Sequence, residues 1–163
     1  MKRLLVLRHG KSNWKADFDS DWHRPINKRG RKAAEFMGAF AREKGLLPDT
    51  ALTSSAIRCQ QTLERFLGAC SDSCPKHIDD DFYLSGARPI WDSVSALDDV
   101  YETVLICKHQ PTCSDLIELL TAEYDEFPTA ALAVIHCSQE HWGDIEFGIN
   151  TLISVFIPRE LMA

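Results

Sequence analysis

Four apolar residues in succession, Leu4-Leu5-Val6-Leu7, stop abruptly at Arg8-His9-Gly10. A run this short without polar alternation predicts a strand covered on both faces, as in a parallel or mixed sheet with helices on either side. The pattern returns at residues 103–107, which run into Lys108-His109-Gln110-Pro111. Residues 49–53 predict a shorter strand, followed by Ser54-Ser55, a pair suited to capping a helix. Residues 131–137 and 152–157 predict two late strands, and residues 77–83 a short extended piece. Between these the period changes. Ala33, Phe36, Met37 and Phe40 fall at i, i+3, i+4 and i+7, after an Arg24-Pro25 step that suits a first helical turn and before Gly45 as the stop. Gly30 and Gly38 weaken that helix slightly.

Cys59, Leu63, Phe66, Leu67 and Cys70 make the buried face of a second helix, with Arg58 in its first turn. Residues 89–97 predict a third helix, and Cys113, Leu116, Ile117 and Leu120 line a fourth. Residues 11–22 mix charge with Trp14, Phe18 and Trp22, show no period, and predict a loop beside the first strand. Strands alternating with helices over 163 residues define an α/β fold. The expected architecture is a three-layer sandwich in one domain, residues 1–163, with a mainly parallel (mixed) central sheet flanked by helices.

Composition narrows the class. Hydrophobic residues at 45% and charged residues at 26% describe a globular chain able to bury a core. A net charge of -6 argues against wholesale nucleic-acid binding, so any positive patch is local. No apolar run reaches the roughly 18 residues of a membrane helix. The six cysteines lie within or beside apolar stretches and no signal peptide opens the chain, so a reducing cytoplasm is expected, without membrane attachment. Cys107, His109 and Cys113 match no zinc spacing, and Asp79-Asp80-Asp81 reads as a solvated acidic turn; neither a metal nor a cofactor is expected.

The chemistry gathers at three strand-to-helix junctions. The first carries Arg8 and His9, the second Arg58, and the third His109. If the three strands are neighbours, all four side chains meet at the carboxyl edge of the sheet, where such folds bind ligands. Arginine offers a planar fork of donors for phosphate, histidine is a nucleophile or base near neutral pH, and Gly10 allows a sharp turn and close approach to a ligand. His23, His77, His136 and His141 follow no strand and read as structural.

These residues resemble the histidine phosphatase superfamily, and within it the small SixA-type phosphohistidine phosphatases. The resemblance rests on Arg8-His9-Gly10-Lys11-Ser12-x-Trp14, Asp21-x-x-Arg24-Pro25-Ile26-Asn27-x-Arg29-Gly30-Arg31 and Thr53-Ser54-Ser55-Ala56-x-Arg58-x-x-Gln61-Thr62. His109-Gln110-Pro111 and residues 127–134 complete it, in order, from residue 3 to about 142. It implies a phosphoglycerate-mutase-like fold and a catalytic group of His9, Arg8, Arg58 and His109. His9 would become a covalent phosphohistidine without metal, while Arg8, Arg58 and His109 bind the phosphoryl oxygens and Arg24 and Lys11 extend the cradle outward. The implied partner is a phosphohistidine-bearing protein, such as a histidine-phosphotransfer domain in signal transduction. The alternatives are a small phosphomonoester or a non-catalytic phosphate-binding module. Two features depart from the family: Lys108 replaces the usual glycine before the second histidine, and the glutamate acid of larger members has no equivalent here.

Overall fold

The computed structural model describes residues 1–70 and 74–162. The strands are β1 (Lys2–Arg8), β2 (Thr50–Ser54), β3 (Lys76–Asp79), β4 (Thr103–Lys108), β5 (Leu132–Cys137) and β6 (Thr151–Phe156). They form one mixed sheet in the order β3-β2-β4-β1-β5-β6. The pairs from β3 through β1 are parallel, and β5 and β6 add two antiparallel pairings. The helices are α1 (Lys28–Glu43), α2 (Ile57–Cys70), α3 (Ala87–Ser95), α4 (Thr112–Thr121) and the short α5 (Pro158–Leu161).

Strand alternation sorts the core into two layers. Leu5 and Leu7 of β1, with Leu105 and Cys107 of β4, pack on Met37, Ala41, Cys59 and Phe66 of α1 and α2. Leu4, Val6, Val104 and Ile106 face the other way, onto Ile90, Trp91, Leu116 and Ile117 of α3 and α4. The expected three-layer sandwich is therefore present, and it buries both faces of the opening apolar run. No helix of the described residues is long and apolar enough to cross a membrane.

Several local expectations are corrected. Helix α1 begins at Lys28, not at the proline, because Asn27 in an extended conformation accepts the Gly30 N–H on its side chain and caps the first turn. Its buried face is Gly30, Ala34, Met37, Gly38 and Ala41, whereas Ala33, Phe36 and Phe40 remain half-buried. The reason is close packing: a Cβ at Gly38 would stand 2.1 Å from the Phe66 carbonyl oxygen of α2. The helix thus approaches its neighbour through its small residues, and the larger apolar ones flank the seam. The glycines read as weakening the helix are its contact points. The extended piece after Pro75 is also shorter than expected, because Asp79 accepts the Asp81 N–H and turns the chain into a 3-10 turn at Asp80–Phe82.

Candidate active site

Sheet order decides where the chemistry meets. Strands β2, β4 and β1 are adjacent and parallel, so the residues that follow them converge at one edge. A cavity of 380 Å³ there is lined by Arg8, His9, Lys11, Ser12, Trp14, Arg24, Arg58, His109, Gln110 and Thr129. All six residues expected at the site from sequence line it. No aspartate or glutamate does among the described residues.

His9 is almost fully buried, and its Nδ1 stands 2.7 Å from the Gly10 carbonyl oxygen. A carbonyl only accepts, so Nδ1 carries the proton and donates it, which leaves the lone pair on Nε2. Burial, joined by the charges of Arg58 and Arg8, lowers the His9 pKa to about 3 against the pull of that hydrogen bond. The ring is thus a neutral imidazole of fixed tautomer, the form that attacks phosphorus.

Gly10 also has a steric reason to be glycine. Its φ is not in the left-handed region. Instead, a Cβ there would lie 2.8 Å from the Gly30 carbonyl oxygen, and a Cβ on Gly30 would lie 2.5 Å from that of Lys11. The two glycines let the loop after β1 lie directly on the first turn of α1. Gly10 N–H also donates to Thr62 Oγ1 at 2.8 Å, which ties the neighbour of His9 to α2.

Three guanidiniums surround the cavity. Arg8 donates to the Phe127 carbonyl at 2.8 Å, and Arg58 donates to the Asp21 carbonyl at 2.8 Å and to Asp21 Oδ2 at 3.0 Å. Arg24 pairs with Asp21 Oδ1 and lies over the exposed Trp14 ring, 3.6 Å from its centre. The Nε atoms of all three arginines are buried, with no hydrogen-bond partner among the described residues. Unpaired buried donors cost about 1–3 kcal/mol each, more when charged. A trio of them beside a neutral imidazole suits an anion with several acceptor oxygens.

His109 lies 5.7 Å from His9, centre to centre. Its Nε2 is 3.0 Å from Ser54 Oγ and its Nδ1 3.6 Å from Cys59 Sγ, so a phosphoryl oxygen would compete with Ser54 for this ring. The Tyr83 ring packs edge-on to His109, while its hydroxyl donates to Asp21 Oδ2 at 2.6 Å.

Lys108 does not enter the cavity. It pairs in register with Arg8, but its Nζ runs to the Tyr83 carbonyl at 3.1 Å and the residue is buried. Burial lowers its pKa to about 8. It supports the turn that carries Tyr83 and leaves room for His109. The six cysteines are free thiols; Cys59 touches His109, and Cys107 donates to the Cys59 carbonyl at 3.5 Å.

Sequence reasoning missed the organising role of Asp21. Its carboxylate joins Arg24, Arg58 and Tyr83, and those contacts lower its pKa to about 2 despite the opposing effect of burial. The Asp21-x-x-Arg24 spacing was a usable signal for one ion pair. Nothing local linked Asp21 to Tyr83, 62 residues away.

An α/β sandwich whose cavity gathers a neutral histidine and three arginines suits a phosphoryl group. The family model described as "Histidine phosphatase superfamily (branch 1)" matches residues 4–83. An uncharacterized protein of Mycobacterium tuberculosis (strain ATCC 25618 / H37Rv) is 29% identical over 164 residues, covering 94% of this chain and 100% of that one. The crystal structure of the candidate phosphohistidine phosphatase SixA from Agrobacterium tumefaciens superposes with a TM-score of 0.82 at 26% identity, covering 96% of this chain and 98% of its own. The protein histidine phosphatase SixA complexed with tungstate shares the fold, with a TM-score of 0.84 at 21% identity over 98% of this chain and 99% of that one.

Proposed function

We propose that the protein removes phosphate from phosphohistidine on another protein, with His9 as the nucleophile. The observation that carries this reading is the pairing of a neutral, tautomer-fixed imidazole with three guanidiniums whose buried Nε–H groups lack partners. Nε2 of His9 attacks phosphorus and the bond to the leaving group breaks. His9 then carries the phosphoryl group, its Nδ1 proton still held by Gly10. Arg8, Arg58 and Arg24 take the charge on the phosphoryl oxygens, His109 borders the same space, and Lys11 stands at its outer edge. Water then attacks the phosphoenzyme, inorganic phosphate departs, and His9 returns neutral.

The absence of a lining carboxylate among the described residues favours a phosphoramidate. An alkoxide leaving group needs a proton donor, an effect of about 10²–10⁴ in rate. Asp21 is too acidic to serve as that donor at neutral pH. A phosphohistidine protonated on its other ring nitrogen leaves as neutral imidazole and needs none. Trp14, exposed at the cavity mouth, offers an aromatic contact to a partner surface.

The test is phosphate release from a phosphohistidine-bearing histidine-phosphotransfer domain in EDTA, by wild type and His9→Ala. Release by wild type alone, with kcat/KM at least tenfold above that for a sugar phosphate, is expected. Equal or faster turnover of the sugar phosphate would move the assignment to small phosphomonoesters. Phosphate binding without turnover of either would mark a binding module.

A further inference from the structure

A second cavity, of 540 Å³, adjoins the first and shares Lys11 and Thr129 with it. Its cations are Lys11, Arg29, Lys32 and Arg159, drawn from the loop after β1, the first turns of α1, and α5. All four are exposed, none forms an ion pair among the described residues, and no acidic residue lines the cavity. In a chain with a net charge of -6 this is a concentrated exception. The placement does not serve helix stability either, because cations in the first turn of α1 oppose its dipole, and that turn holds no acid. Between the cations lie Ile157, Pro158, Pro128 and Met162, which give the groove an apolar floor.

We propose that this groove receives an acidic segment of the phosphorylated protein, next to the phosphohistidine entering the cavity that holds His9. The inference rests on the proposed function and names what its partner must carry. Charge selects an anionic occupant, and continuity through Lys11 and Thr129 sets it beside the reacting group. The apolar floor suits the side chains of a peptide rather than the bare backbone of a nucleic acid. Exposed charges at the rim act mainly on encounter, so their contribution falls with salt.

The test compares two peptides carrying a non-hydrolysable triazole analogue of phosphohistidine, one flanked by six glutamates and one by six glutamines. A glutamate peptide lacking the phosphoryl group is the third probe. Binding is read by fluorescence anisotropy for wild type and for the double variant Lys32→Glu/Arg159→Glu, which leaves the residues around His9 intact. Wild type should prefer the glutamate flank by about 10-fold at low salt. The preference should vanish in the double variant and shrink in 0.5 M salt, while turnover of nitrophenyl phosphate stays unchanged. Equal binding of both flanks by wild type overturns the proposal. So does a preference retained in the variant, or an oligothymidylate that competes as well as the glutamate peptide. Should the phosphoryl group add nothing to binding while the glutamate preference persists, the phosphohistidine reading fails and the groove stands.

Discussion

Among single residues, the chemistry turns on the state of His9. Its ring is neutral because burial and flanking arginines oppose a second proton, and its Nδ1 proton is committed to Gly10. A nitrogen-detected titration of the histidine side chains should show His9 without a protonation step between pH 8 and pH 5; a midpoint near 6.5 would contradict the site as described. The sign for stability follows. The unfolded chain protonates this ring near 6.5 and the folded chain near 3, so His9 detracts nothing above about pH 6.5. As pH falls from there towards 3, only the unfolded state gains the proton and stability declines.

Asp21 is the positioning residue that local sequence signals did not reveal. Asp21→Asn should reduce kcat/KM by about 10- to 100-fold, the loss of charge-assisted bonds that hold Arg24 and Arg58. Its circular dichroism should be unchanged, and guanidinium rescue should be poor because both arginines are still present. A variant within threefold of wild type would remove Asp21 from that role. Lys108→Met should retain activity within about threefold, because Nζ points to Tyr83 and not into the cavity. Arg8, His9 and His109 were legible in the sequence because each ends or follows an apolar run. Asp21 and Tyr83 were not, because their contact exists only after the chain has folded.

At the scale of elements, the seam between α1 and α2 carries a sharp prediction. Gly38→Ala puts a methyl 2.1 Å from a backbone oxygen that cannot rotate away. It should destabilise the protein by about 1–3 kcal/mol in chemical denaturation, the usual penalty of overpacking, or more. Gly68→Ala on α2, where a Cβ meets nothing within 4 Å, is the control and should be neutral or slightly stabilising. Equal stability of the two variants would deny the close approach. Periodicity located these helices, but the Phe36 and Phe40 stripe of α1 flanks the seam and its glycines form it. Apolar spacing marks a face, and it does not reveal where two backbones touch. The start of α1 was obscured for a related reason: Pro25 is an ordinary first-turn residue, and Asn27 is recognisable as the cap only through its bond to Gly30.

For the whole molecule, topology does the collecting. His9 and His109 are a hundred positions apart in sequence, yet β1 and β4 pair in parallel register, and β2 brings Arg58 alongside. The alternation of strands and helices announced the sandwich, whereas strand order was a condition that the sequence left open. The result is an acidic protein with local cationic ground around its cavity, and inorganic phosphate should stabilise it by mass action. A thermal melt should rise with phosphate for wild type and hardly at all for Arg58→Ala; an equal rise in both would place the anion elsewhere.

The most direct test of His9 as nucleophile is to trap the phosphoenzyme. Wild type is mixed briefly with a radiolabelled phosphohistidine-bearing protein in EDTA, quenched in alkali, digested and mapped. An acid-labile, alkali-stable phosphate on His9, absent from His9→Ala, is expected. Turnover with no label on His9, or a label on His109 or any other residue, would contradict it.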